Sequence, residues 1–180
     1  MRYLIGFLFV ILLTGQALSQ EEDPGYVDFN SLDIPFDSDS SVEVLLKPPL
    51  LRLIAESTRE EDPGFANLLD GLYLIHMQTF PFDPSDAERV NERVTRSADR
   101  FERTQGWERV ARVRERKASS LISVKTRRDR IVGLLLIVVE ETHQVVYINI
   151  VGEIDLLQIG RIGRKFKLSQ LENMKLPKKR

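Results

Sequence analysis

Between Ile131 and Gly152 the chain carries two β-rich apolar runs, Ile131 to Val139 and Val145 to Gly152, on either side of the polar stretch Glu140-Glu141-Thr142-His143-Gln144. Two such runs around a short polar turn make a β-hairpin. The first run is apolar at nearly every position, so both of its faces need cover, and it belongs at the centre of a sheet. About six buried aliphatic side chains, at roughly 1.5–3 kcal/mol each, make it the largest local contribution to a core.

The rest of the chain reads around that hairpin. Val42 to Leu46 alternates as a short half-buried strand, closed by Pro48-Pro49. Leu50 to Ser57 reads as a helix with Pro49 at its first turn, and Asp62-Pro63 starts a second, shorter one that buries Phe65, Leu68 and Leu69 and ends at Gly71. Leu72 to Phe80 is a strand. Asp83-Pro84-Ser85-Asp86 then opens a long helix to Gln105, with Ala87, Val90, Val94, Ala98 and Phe101 on its inner face and Gly106 at its end. Trp107 to Glu115 is a strand near an edge, because Val110 and Val113 stand among charges. Ala118 to Thr126 is another, and Arg127 to Arg130 turns into the hairpin. Asp155 caps a last helix with Leu156, Ile159, Ile162 and Phe166 on one stripe.

Consecutive strands joined by short turns pair antiparallel. The expected fold is therefore α+β, two-layer, a mainly antiparallel sheet of about five strands with helices packed on one face. The N-terminal segment is expected to cover part of the other face. The organisation reads as a signal peptide over 1–19, an acidic linker over 20–41, a single α+β domain over 42–166 and a basic flexible tail over 167–180.

The signal-peptide reading rests on Arg2, the apolar run Tyr3 to Leu13 and the small residues of Ala17-Leu18-Ser19. Eleven apolar residues rise only about 16 Å as a helix, too short for a hydrocarbon core of roughly 30 Å. Cleavage after Ser19 implies export to a periplasmic or extracellular space, with no stable membrane span afterwards. The chain has no cysteine, which excludes a disulfide framework, a thiolate nucleophile, a cysteine metal site and a thioether lipid anchor. Charge is segregated. Glu21 to Asp70 holds 13 acidic residues against Lys47, Arg52 and Arg59, a balance of 3 − 13 = −10, and Gly71 to Arg180 holds 22 basic against 14 acidic, a balance of +8. Self-complementation within one domain is the plainer explanation; an ionic partner is the sharper one.

Signals for catalysis are thin. The two histidines, His76 and His143, fall in a strand and in a turn, and no pair stands at helical spacing for a transition metal. No serine sits in a Gly-x-Ser-x-Gly turn. Glu140-Glu141 and Glu153 with Asp155 are acidic clusters at strand ends, suited to acid–base work only if their pKa values are pushed apart. Ile159-Gly160-Arg161-Ile162-Gly163-Arg164 looks like the loop by which KH domains clamp a nucleic-acid backbone, but too few residues follow to complete that fold. Two glycines that bring a helix close to a sheet explain it more simply, so no nucleic acid is expected. No cofactor or metal is expected either.

One surface feature points outward. Arg89, Arg93, Arg96, Arg100 and Arg103 recur at intervals of four, three, four and three, a continuous stripe along the long helix. Glu92 and Asp99 are expected to pair with Arg96 and Arg103 four residues on. The plain reading is a solvated face whose long stems shield the core edge. The functional reading is a docking surface for an acidic envelope protein or another polyanion.

At Gly106-Trp107-Glu108-Arg109-Val110 and again from Val146 to Asp155, the chain resembles the bacterial exported and lipid-anchored proteins of the family of unknown function 4252. The resemblance runs from Tyr26-Val27-Asp28-Phe29 through Val42-Glu43-Val44 and Leu50-Leu51 to near Ile162. It implies an exported bacterial domain. Many members of that family resemble envelope lipoproteins and lie near sigma-factor signalling genes; this chain lacks the lipidation cysteine. No activity comes with the family. The expectation is an exported, soluble, non-catalytic binding or interaction protein of the bacterial cell envelope, linked to envelope signalling. The alternative is a periplasmic hydrolase working through carboxylates, and a third reading is a homo-oligomer built on an exposed edge strand.

Overall fold

The computed structural model describes residues 23–32, 41–114 and 118–155. The proposed signal peptide, the last helix with its Gly160 and Gly163, and the basic tail lie outside these residues.

In chain order the elements are β1 (Val42–Leu46), α1 (Pro48–Thr58), α2 (Pro63–Asp70), β2 (Leu72–Pro81), α3 (Ala87–Gln105), β3 (Glu108–Arg114), β4 (Ser119–Arg127), β5 (Arg130–Val139) and β6 (Gln144–Ile154). The six strands form one antiparallel sheet in the order β1-β2-β6-β5-β4-β3. The α+β class and the antiparallel sheet follow the sequence, with one strand more than about five.

Local chemistry explains the boundaries. Asp62 accepts a hydrogen bond from the Phe65 N–H at 3.0 Å and starts α2, with Pro63 in the first turn, where a missing N–H costs nothing. Gly106 ends α3 in the left-handed region at φ 65°, and its N–H reaches Glu102 O at 3.1 Å. Arg128 and Asp129, at φ 49° and 61°, form the tight turn between β4 and β5. At the β5–β6 turn the Glu140 N–H meets Gln144 O at 2.8 Å and His143 takes φ 61°.

β5 and β6 sit at the centre and decide the layering. Leu134, Leu136 and Val138 point to one face of the sheet, where Leu51 and Ala55 of α1 and Phe65, Leu68 and Leu69 of α2 meet them. Leu135, Ile137 and Val139 point to the other, where Val94 and Ala98 of α3 pack together with Val27, Phe29 and Leu32. The expectation of helices on a single face is thus corrected. The helices divide between both faces, because two central strands that are apolar in both parities cannot be covered from one side.

The second face also carries the N-terminal segment. Residues 23–32 lie inside the stretch read as an acidic linker, yet Val27, Phe29 and Leu32 are buried in the core under α3. The segment ends in a one-turn 3-10 helix, Phe29–Ser31, capped by Asp28. At the sheet margins β3 is an edge strand, as its charges predicted, with Val110 and Val113 exposed; β1 is the other edge, with Val42 and Leu45 exposed.

Candidate functional site

The outer side of α3 brings three of the five stripe arginines together. Arg93, Arg96 and Arg100 surround Ser97 in a concavity of about 220 Å³. Ser97 is 9% exposed and forms its floor. Arg89 is turned to Asp86 at 2.6 Å, and Arg103 stands one turn beyond, so neither lines this concavity.

The acids of the same helix do not behave as the local spacing suggested. Asp99 was expected to pair with Arg103; it meets Arg109 of β3 at 2.5 Å and Arg112 at 3.6 Å. Glu102 takes the other prong of Arg109 at 2.9 Å and accepts the Ser123 hydroxyl at 2.7 Å. A planar guanidinium that reaches two carboxylates from a rigid strand outcompetes a flexible neighbour on the helix. Burial works against the Arg109 charge, but its bonds to Asp99 and the field of Glu102 outweigh it and push the pKa upwards. α3 is therefore electrostatically split, with Asp99 and Glu102 drawn to β3 and the arginine concavity on the other flank. Glu92 does not visibly serve Arg96; both line a neighbouring cleft.

That cleft, about 890 Å³, lies between the start of α3, Arg114 at the end of β3, Ala118 and Ser119 at the start of β4, and the β5–β6 hairpin tip. It gathers Glu140, Glu141 and His143, whose ring meets Phe82 edge-on at 5.8 Å. Arg96 borders both cleft and concavity. The second acidic cluster is far from it: Glu153, at the opposite end of β6, pairs with Arg130 at 2.6 Å in the open. The two carboxylate pairs therefore do not converge.

His76 is buried on β2. Its ring stacks on Phe29 at 4.3 Å, and its Nε2 lies 2.7 Å from Glu43 Oε1 of β1. Among the described residues no group of three or more His, Asp or Glu is arranged to hold a metal.

A family model, the domain of unknown function DUF4252, matches residues 36–162. The chain belongs to this family. No curated protein matches it. The arginine concavity, the cleft and strands β1 to β6 fall inside the DUF4252 match, whereas the segment 23–32 precedes it.

Sequence reasoning missed one residue of this DUF4252 domain. Asn149 is fully buried in the middle of β6, and its side-chain amide ties the N-terminal segment to the sheet. The signal was present: one amide stands between Val145 and Val151 in an otherwise apolar run.

Proposed function

We propose that this DUF4252 chain is a non-catalytic, exported binding module of the bacterial envelope that docks an acidic protein segment on the arginine flank of α3. One observation carries the reading: Arg93, Arg96 and Arg100 converge around the nearly buried Ser97, while Asp99 and Glu102 of the same helix are engaged by β3. Guanidinium groups on a rigid helix pair well with carboxylates, in part because their planar forks bond two oxygens at once. Export and the envelope setting rest on the N-terminal sequence pattern and on the family resemblance.

The test is a titration of a fluorescent poly-glutamate peptide by anisotropy. Arg93→Glu with Arg96→Glu is expected to weaken binding at least tenfold, with binding to the parent chain falling as salt rises. Equal binding by the parent and the doubly reversed chain, at equal thermal stability, rejects the reading. The rival is a carboxylate hydrolase in the larger cleft, favoured by Glu140 and Glu141 standing with His143 there. Turnover of an ester or glycoside that vanishes in Glu140→Ala or Glu141→Ala would replace binding by catalysis.

A further inference from the structure

Residues 23–32 sit on the sheet as a ligand sits in a groove. We propose that the α3-side groove is a peptide-acceptor site for a segment of the pattern Gly-x-Val-x-Phe-x-x-Leu, and that Gly25 to Leu32 is its resident, displaceable occupant.

The groove reads the backbone first. Asn149 accepts the Val27 N–H on Oδ1 at 2.9 Å and donates from Nδ2 to Gly25 O at 2.9 Å, while a second Nδ2 bond to Leu134 O at 3.2 Å fixes the amide. One locked side chain thus holds two main-chain groups of the segment, as the edge of a strand would in β-augmentation. The segment's own backbone bonds are short-range, Tyr26 to Asp23 and Leu32 to Phe29 among them.

Side-chain selection follows. At Gly25 a Cβ would lie 2.1 Å from Val132 O, so only glycine fits there. The groove answers with Gly133, whose own Cβ would lie 2.6 Å from Gly25 Cα. Val27 and Leu32 fill apolar positions, and Phe29 lies across the rings of His76 at 4.3 Å and Tyr147 at 5.5 Å.

One feature marks the occupant as exchangeable. The floor holds unmet bonding capacity: the Tyr147 hydroxyl and His76 Nδ1 are buried with no hydrogen-bond partner among the described residues. Phe29 cannot satisfy either. A segment with a hydrogen-bonding side chain in that place has an advantage over the resident.

The test uses the full chain with a protease site inserted between residues 33 and 40. After cleavage, a fluorescent peptide of residues 21–34 is added and anisotropy recorded. Uptake is expected, with at least a tenfold loss for the Gly25→Ala peptide and for the Asn149→Ala chain, and equal or tighter binding for the Phe29→Tyr peptide. No uptake, or uptake indifferent to both alanine changes, overturns the proposal. A second measurement uses the uncut chain. Hydrogen exchange at the Val27 amide should run at least tenfold faster than at Leu136 in β5, showing release without global unfolding. Equal rates at the two amides overturn it as well.

Discussion

Asn149 accepts the Val27 N–H at 2.9 Å across 122 residues of chain. Replacing it strands two buried main-chain groups at once, the Val27 N–H and the Gly25 carbonyl. Each unmet group costs about 1–3 kcal/mol. Asn149→Leu is expected to lose about 3 kcal/mol in urea denaturation despite its better hydrophobicity. A loss under about 0.5 kcal/mol would mean that the amide is incidental.

Gly25 and Gly133 touch backbone to backbone, and the only tryptophan stands beside them. A Cβ on Gly133 would come within 2.6 Å of Gly25 Cα and 2.8 Å of the Trp107 ring. Gly133→Ala is expected to cost about 1–3 kcal/mol by overpacking. It should also lift the N-terminal segment, seen as a red shift of Trp107 emission in the native state. An unshifted spectrum at lowered stability would place the strain within the sheet alone.

Tyr147 is fully buried, and burial alone pushes its hydroxyl pKa far above the usual tyrosine value. The unfolded chain ionises this group near pH 10 and the folded one does not. The stabilisation is therefore complete below about pH 10 and declines as pH rises beyond it, by up to about 1.4 kcal/mol per unit. Melting curves from pH 8 to 11.5 should show Tyr147→Phe flattening this decline. At pH 8 the variant should match or exceed the parent, since the hydroxyl has no partner among the described residues.

Much of the fold could be read directly. The apolar hairpin, the Asp83 to Gln105 helix with its glycine stop and the capping Asp62 follow from short-range rules of period, capping and turn chemistry. What escaped was non-local. No spacing rule reveals that β2 pairs with β6 or that the helices divide between the faces, although the two-sided apolarity of Ile131 to Val139 demanded cover on both. The arginine stripe was plain from its four-three repeat, but not its charge partners. Asp99 looked like a helix-surface acid for Arg103 and instead answers Arg109, which only the folded β3 brings near. Asn149 hid as one polar letter in a greasy strand.

Arg109 is the hinge of that charge arrangement. Its fork holds Asp99 and Glu102, and the Glu102 side chain is only 16% exposed. Arg109→Met leaves Glu102 with the Ser123 hydroxyl alone and is expected to cost about 2 kcal/mol, below the figure for a fully buried pair. Arg109→Lys cannot bridge both carboxylates with one planar fork and should recover less than half of the loss. Thermal unfolding of the two variants, with a double-mutant cycle through Glu102→Gln, measures the coupling.

The reach from Val27 to Asn149 also sets an order of events in time. A ribosome finishes residues 23–32 long before β5 and β6 exist, so the earliest part of the domain to be made is the last to find its place. Until β6 is threaded in, that piece of chain has no berth, and any chaperone that meets the nascent protein meets it undocked.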